Sequence, residues 1–560
     1  MMIIKEIFGH RTFWWTVIVL LVLNYLAAQM NWRIDFTEDK RFSISKNTTK
    51  VLKTLEQPVY AEILFGGDFQ AGPKRLQEAT VNMLSQFQNI NSRIRYDLVD
   101  PLEGPPEDVA ARQRKMAASG ITYTSFTLPD DEQVTQRIAY PYVVFYQGEY
   151  GVPIEILEEQ SFGDGEAAIN ESIALLEFKF SSALQRLSKG RKPLIYFTEG
   201  HDELIPLETI EYEKSVRHFF QTGRIHLDST EQIDQKIDVL VVAKPMKPFS
   251  ESDLYKIDQY LMQGGKIVWM IDQLAVQLDS LRGRASYLPP IIELGLDELF
   301  FKYAIRLNKS LVVDTECTRI PLVVASQGGR PKQELFPYYY HPVPDPRDGH
   351  IIGTRLDRVN LWYAGSIDTL RTKFDQKRTV LLKSSMNSFE QQHPVNLDFE
   401  IQKIQTEFDR FDDGNKILGL LVEGKFPSFF ANRPAPIPNA NPKAESQETA
   451  MVVISDGDLI RNRFDQGQDG RPVPMPIGFN RFENYKFDNE AFFGNIISYL
   501  LGESDLLEAR KKNVELRLLN QAKIKSEKSF WQLLNVVLPL LLLAIFGLVN
   551  SYIRKRKYAK

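Results

Sequence analysis

Five consecutive residues, Glu199-Gly200-His201-Asp202-Glu203, bring together side chains used in acid–base and metal chemistry. They follow the apolar run LIYFT, and a helical pattern begins soon after, near Glu208. In α/β folds this strand-to-helix corner is where ligands and catalytic groups sit. Glu199, His201, Asp202 and Glu203 could ligate a metal, and Asp202 with Glu203 could serve as an acid and a base. His218 and His226 lie close by in sequence, so three of the seven histidines fall in one short region. The plainer reading is a hydrogen-bonded corner that caps the helix or meets another domain, because neighbours in sequence say little about spacing in the fold. The expectation is therefore a ligand or interface corner, with no catalytic, cofactor-binding or metal-ligating residue assigned.

The remaining chemistry is mostly missing. Gly67 to Lys74, GDFQAGPK, has two glycines at phosphate-loop spacing but places Pro73 where the lysine belongs and lacks the hydroxyl that binds magnesium. There is no H-E-x-x-H and no G-x-S-x-G. The one cysteine, Cys317, excludes an intrachain disulfide, a multi-cysteine zinc site and a Cys-x-x-Cys redox pair, and is expected to be a buried thiol. These gaps predict a protein that is not an enzyme and needs no cofactor.

The elements that must position the corner are legible. IDVLVVAKP and GGKIVWMID are continuous apolar runs of the kind found in strands covered on both faces. SESDLYKIDQYLMQGG between them is a helix, with Ser250 or Ser252 to cap it and Gly264 or Gly265 to end it. Alternating strands and helices predict a parallel sheet with helices on both faces, an α/β fold. Upstream, residues 33–165 read as helix, β-α-β and further strands, which suits a thioredoxin-like α/β domain. The helix AAINESIALLEFKFSSALQRL opens residues 166–290, the first part of the central α/β domain. Residues 291–432 read as a mixed or β-rich extension, with strand character at 311–325, 359–367 and 379–384. Residues 433–447 form a Pro-rich loop, and 448–502 return to the central domain through MVVISDGDLIRNRF and the amphipathic NEAFFGNIISYLLG.

The ends are of another kind. The chain has 560 residues, too many for one core, and its net charge of -4 gives no general bias toward nucleic acid. Thr12 to Trp32 and Ser529 to Ile553 contain no charged residue, and each is long enough for a helix crossing a hydrocarbon core of about 30 Å. Residues 1–32 are thus expected to be an N-terminal anchor, with a cleaved signal peptide as the alternative. Residues 503–528 are read as a stalk helix, 529–553 as a C-terminal transmembrane helix and 554–560 as a basic tail. Arg554, Lys555, Arg556 and Lys557, with Lys5 and Arg11 at the other end, predict both termini in the cytoplasm and the bulk outside it.

In this order, between two membrane segments, LIYFTEGHDEL, IDVLVVAKP, LYKIDQYLMQGGKIVWMID, LVEGKFPSFF, MVVISDGDLIRNRF and NEAFFGNIISYLLG give a chain that resembles the GldG type of gliding-motility ABC transporter auxiliary protein of Bacteroidota. The resemblance implies a central domain like class I glutamine amidotransferases, a permease-like membrane subunit and a cytoplasmic ATPase as partners, and a role in gliding motility and the associated secretion. It leaves open a periplasmic protein or glycan ligand. Relatives carry G-H-G-E at the corner where this chain has Gly200-His201-Asp202-Glu203, and no cysteine stands where the amidotransferase nucleophile would. The expected function is a non-enzymatic, membrane-anchored auxiliary subunit in the inner membrane with its bulk in the periplasm. The rival is a periplasmic hydrolase or glycan-binding enzyme using Glu199 to Glu203.

Overall fold

Capping and periodicity place the first elements of the computed structural model where the sequence puts them. The structure describes residues 44–504, 507 and 521–558, with gaps at 70, 130–133, 159–164, 189–190, 218, 328–329, 348–349, 400–410, 438–441 and 468–469, and a few positions between 14 and 24. The N-terminal anchor therefore lies almost wholly outside the described residues, as do His218 and most of the stalk. Contacts divide the chain into two units, residues 1–513 and 514–560.

In the first unit, α1 (Lys46–Thr54) starts at Ser45, whose hydroxyl accepts from the Thr48 N–H at 3.1 Å. β1 (Val59–Ile63), α2 (Ala71–Ile90), β2 (Ile94–Leu98), α3 (Pro106–Ala118), the paired strands β3 (Thr124–Pro129) and β4 (Val134–Ala139), then β5 (Tyr142–Gln147) and β6 (Tyr150–Glu155) follow. Their four-stranded sheet has the order β2-β1-β5-β6, with β1 and β2 parallel and the other neighbours antiparallel. The long helix α4 (Gly165–Ser188) lays Leu176, Phe180 and Leu184 against Leu84 and Phe87 of α2 and Phe145 of β5.

The central sheet begins with β7 (Leu194–Glu199), followed by α5 (Ile210–Val216), β8 (Gln221–His226), β9 (Val239–Ala243), α6 (Glu251–Met262) and β10 (Ile267–Met270). After α7 (Asp297–Lys302) the chain supplies β11 (Ile305–Leu307), β12 (Ser310–Asp314), β13 (Cys317–Gln327), β14 (Arg330–Pro342), β15 (Ile367–Thr369), β16 (Gln376–Lys383), β17 (Ser388–Gln392), β18 (Ile417–Gly424) and β19 (Thr449–Ile454). Nine strands form one sheet, β11-β15-β18-β19-β10-β9-β7-β8 with β16 added beside β18. The block from β19 to β8 is parallel, and β18 joins it antiparallel. α8 (Asn489–Leu500) completes the unit.

Both faces of the parallel block are covered, which is why its strands are apolar without a break. Val239, Val241, Val268 and Met270 face Tyr212 of α5 and Phe492, Phe493 and Ile496 of α8. Leu240, Val242, Ile267 and Trp269 face Ile257 and Leu261 of α6 and Leu299 and Phe300 of α7. Ser250 caps α6 by accepting from the Asp253 N–H, and Gly264, at φ +96°, takes the left-handed turn that ends it. Arg186 of α4 binds Glu503 and Ser498 at 3.0 Å and lies over the rings of Phe219 and Phe220, tying the N-terminal layer to the central one.

Two expectations change in detail. The stretch expected as one strand over 311–325 breaks into β12 and β13, which pair with β17 and β14 respectively. Only the end of 359–367 forms a strand, because Val359, Leu361 and Tyr363 instead bond the backbone of Pro344, Pro342 and Tyr340 as extended chain.

In the second unit, helix α9 (Gln521–Tyr558) contains the candidate span Glu527–Arg556, in which an 18-residue stretch has a mean hydropathy of 2.4, high enough to cross a membrane. By length and composition this helix fits a membrane anchor. The last residues of the expected stalk, from Gln521, belong to it.

Candidate functional site

The chain order of the parallel strands is second, first, third, fourth, fifth across the block β8-β7-β9-β10-β19. The direction of winding therefore reverses between β7 and β9, and ligands of such sheets bind at that crevice, outside the carboxyl ends of the strands. Residues 199–203 stand there, and the structure brings them together with their own neighbours. His201 is buried and stacks on Phe249, with ring centroids 3.9 Å apart. Its Nδ1 lies 3.5 Å from Glu203 Oε1 and its Nε2 lies 3.5 Å from Asp253 Oδ2. The His201 N–H donates to Glu203 Oε2 at 2.7 Å. Burial pushes Glu203 upward, yet hydrogen bonding from His201 holds it below the usual carboxylate range. Burial likewise opposes ionisation of Asp253, and the Ser250 hydroxyl and Lys256 ammonium outweigh it.

Backbone bonds close the crevice itself. The Leu204 N–H donates to the Ala243 carbonyl at 3.0 Å, and the His201 carbonyl accepts from Met246 and Lys247. Glu199 turns away to His226 at 2.8 Å and Arg224 at 3.8 Å. Asp202 pairs with Lys247 at the surface. Gly200 sits at φ +122°, where a side chain is strained, and Asp202 at φ +55°, a left-handed position that aspartate tolerates better than most residues. The departure from a glycine at position 202 is thereby accommodated.

One step along the same sheet edge, a second polar cluster forms that the sequence reading did not single out. Lys244 directly follows β9, Asp272 follows β10 after Ile271, and Asp456 and Asp458 follow β19 after Ser455. The buried Lys244 ammonium donates to Asp272 Oδ2 at 2.5 Å and Asp458 Oδ2 at 2.6 Å. Gly457 donates its N–H to Asp272 Oδ1 at 2.6 Å, and Asp456 accepts from the N–H groups of Asp458 and Trp362. A Cβ on Gly457 would lie 2.6 Å from Lys244 Cγ, so a residue without a side chain is needed there. Burial, together with Asp272 and Asp458, pushes Asp456 far up. Asp458 is held well down, because Lys244, Arg461 and Arg463 outweigh the effect of burial. The carboxylates of Asp272, Asp456 and Asp458 lie close enough together to hold a cation. The Lys244 ammonium already bonds two of them, so it supplies the positive charge that a metal would bring.

Asp458 also lines a pocket of about 390 Å³, whose walls come from Glu208, residues 277–279, Trp362, Tyr363, residues 461–464, Met475 and residues 479–482. Arg461 bridges Asp458 Oδ1 at 3.1 Å and Glu208 Oε1 at 2.6 Å, connecting the pocket to the loop after β7. Arg463 lies flat over Trp362, 3.1 Å from its centroid, and His341 stacks on the same indole at 4.2 Å. At those distances the two occupy opposite faces. Among the described residues both ring nitrogens of His341 lack a hydrogen-bond partner, and burial holds its pKa far down, so it is neutral. The missed signal was local: VVAK, WMID and ISDGD each put a charge immediately after a buried strand.

A largely parallel sheet covered on both faces by helices defines an α/β domain. Residues 192–496 match the family described as an ABC-type uncharacterized transport system, in its auxiliary component, and the chain belongs to that family. A domain of unknown function matches residues 38–146. An uncharacterized protein of Borreliella burgdorferi is 22% identical over 562 aligned positions, covering 97% of both chains. Among solved structures, the mmIFT52 N-terminal domain is 12% identical with a TM-score of 0.30, covering 55% of this chain and 97% of its own. The exo-beta-1,4-mannosidase Op5Man5 from Opitutaceae bacterium strain TAV5 is 8% identical with a TM-score of 0.20, covering 52% and 35%. Both scores are too low to carry an argument. Family membership gives the chain an accessory role in an ABC-type transport system, with other transporter components as partners.

Proposed function

We propose that this chain is a non-enzymatic, membrane-anchored auxiliary subunit that joins a permease-like subunit and a cytoplasmic ATPase. The observation that carries the reading is the family match across residues 192–496, supported by the apolar helix within α9. The corner at Glu199 to Glu203 serves as a structural or protein-contact element, since His201 and Glu203 are buried and its crevice is bonded shut. That geometry weighs against the hydrolase reading, which needs converging carboxylates in an open cleft. The strand order and pairings support a thioredoxin-like domain at 33–165 and an amidotransferase-like sheet in the central domain. The basic residues Arg554 to Lys557 after the apolar span support cytoplasmic termini and a periplasmic body. The narrower role, in gliding motility and its secretion apparatus, rests on the resemblance in motif order.

Affinity purification in mild detergent, with identification of the co-purifying chains, tests the reading. A permease and an ATPase are expected. Recovery of the chain alone, under conditions that preserve other ABC complexes, would overturn it. Protease added to spheroplasts should digest the body and spare a C-terminal tag, and loss of that tag would reverse the topology.

A further inference from the structure

The charged groups lining the pocket at Trp362 are not all paired with one another. Glu208 and Asp458 are committed to Arg461 and Lys244, which leaves Asp279 on the exposed rim as the remaining carboxylate of the lining. Against it stand two guanidinium groups without an ion pair or hydrogen bond among the described residues. Arg463 rests on Trp362, and Arg481 lies 4.9 Å from the Phe482 centroid at the mouth. Burial holds Arg463 down to about 10, against the opposing pull of Asp458 and Asp456. Arginine presents planar, paired donors that match carboxylate and phosphate oxygens. Beside the polar Gln277, Asn462 and Asn480, the walls include Tyr363, Phe464, Met475, Phe479 and Phe482, which would bury a flat or apolar body. The volume of about 390 Å³ falls within the range of small-molecule sites.

We propose that this pocket binds a small ligand carrying an oxyanion, carboxylate or phosphate, on a flat apolar body, with Arg463 and Arg481 as its anion partners. Arg461 is the positioning residue: it holds the segment 461–463 against Glu208 and Asp458 and so fixes where Arg463 points. The site is independent of the subunit assignment, and its failure would leave that assignment standing.

The test uses the full-length chain in mild detergent, with phenyl phosphate, benzoate and neutral benzamide as probes at matched ionic strength. Thermal melting and calorimetric titration should show saturable stabilisation by one or both anionic probes and none by benzamide. The stronger of the two anions identifies the headgroup. Arg463→Gln should weaken binding about tenfold to a hundredfold, the factor carried by a charge-assisted hydrogen bond. Arg481→Gln, at an exposed position, should melt like the wild type and weaken binding several-fold, so it decides the matter if Arg463→Gln does not fold. No saturable shift with either anion up to about 10 mM would overturn the proposal, because a ligand stabilises only in proportion to its occupancy. Equal binding by wild type and both variants, or equal binding of benzamide, would overturn it as well.

Discussion

Replacing Lys244 with methionine removes the cation that bonds both Asp272 and Asp458, and leaves a side chain one atom shorter. The ammonium and both carboxylates are nearly inaccessible, at 6–7% exposure, so water does not screen the change. Breaking a buried pair by removing one partner costs about 3–5 kcal/mol, because the remaining charge is left uncompensated. Arg461 still bonds Asp458 Oδ1, so Asp272 is the group left stranded. Over a body the size of residues 192–496, that cost corresponds to a fall in melting temperature of roughly 5–8 °C. The pH dependence gives a sharper check. In the wild type Asp458 is held below its unfolded value, so its contribution is present above about pH 4 and is lost as the pH falls toward the folded value. In the variant the stranded carboxylates have less to lose on protonation, so the gap between the two proteins should narrow on acidification. Circular dichroism melts of both proteins from neutral pH to about pH 3 reach the window in which the Asp458 contribution begins to be lost. An unchanged melting temperature at neutral pH, or a gap that widens in acid, would refute the charge-compensation argument.

Two further predictions concern the buried His201 and Cys317, which is half-buried rather than the fully buried thiol expected from the sequence. His201→Ala strips Glu203 and Asp253 of a shared neighbour and removes the stack on Phe249, so it should cost about 1–3 kcal/mol and abolish no hydrolytic turnover. A periplasmic activity lost at unchanged stability and unchanged partner pull-down would show the corner to be a functional site. Burial pushes the Cys317 thiol up to about 12, so a disulfide reagent at pH 8 should label it far more slowly in the folded chain than in urea; equal rates would contradict the burial.

The sequence by itself determined what depends on local pattern. The unbroken apolar runs at 239–243 and 267–270 could only be strands covered on both faces, and the structure covers them with α5, α6, α7 and α8. Ser250 and Gly264 bounded α6 because capping and left-handed turns need particular residues at particular places. One cysteine excluded an intrachain disulfide, and the uncharged stretch at 529–553 marked the helix that the structure contains. What the sequence could not determine was convergence. The residues at 199–203 looked like the site because they are adjacent in the chain, yet they are drawn into separate contacts: the His201 N–H to Glu203, Glu199 to His226, Asp202 to Lys247, and the His201 carbonyl to the backbone of the next loop. The pocket draws on Glu208, Gln277, Trp362, Asp458 and Arg481, which are scattered over more than half of the central region. Only the order of strands brings the ends of β9, β10 and β19 side by side, and only that placement lets Lys244 meet Asp272 and Asp458. Strand order is set by which buried faces pack against which helices, a long-range balance that no single stretch of residues encodes.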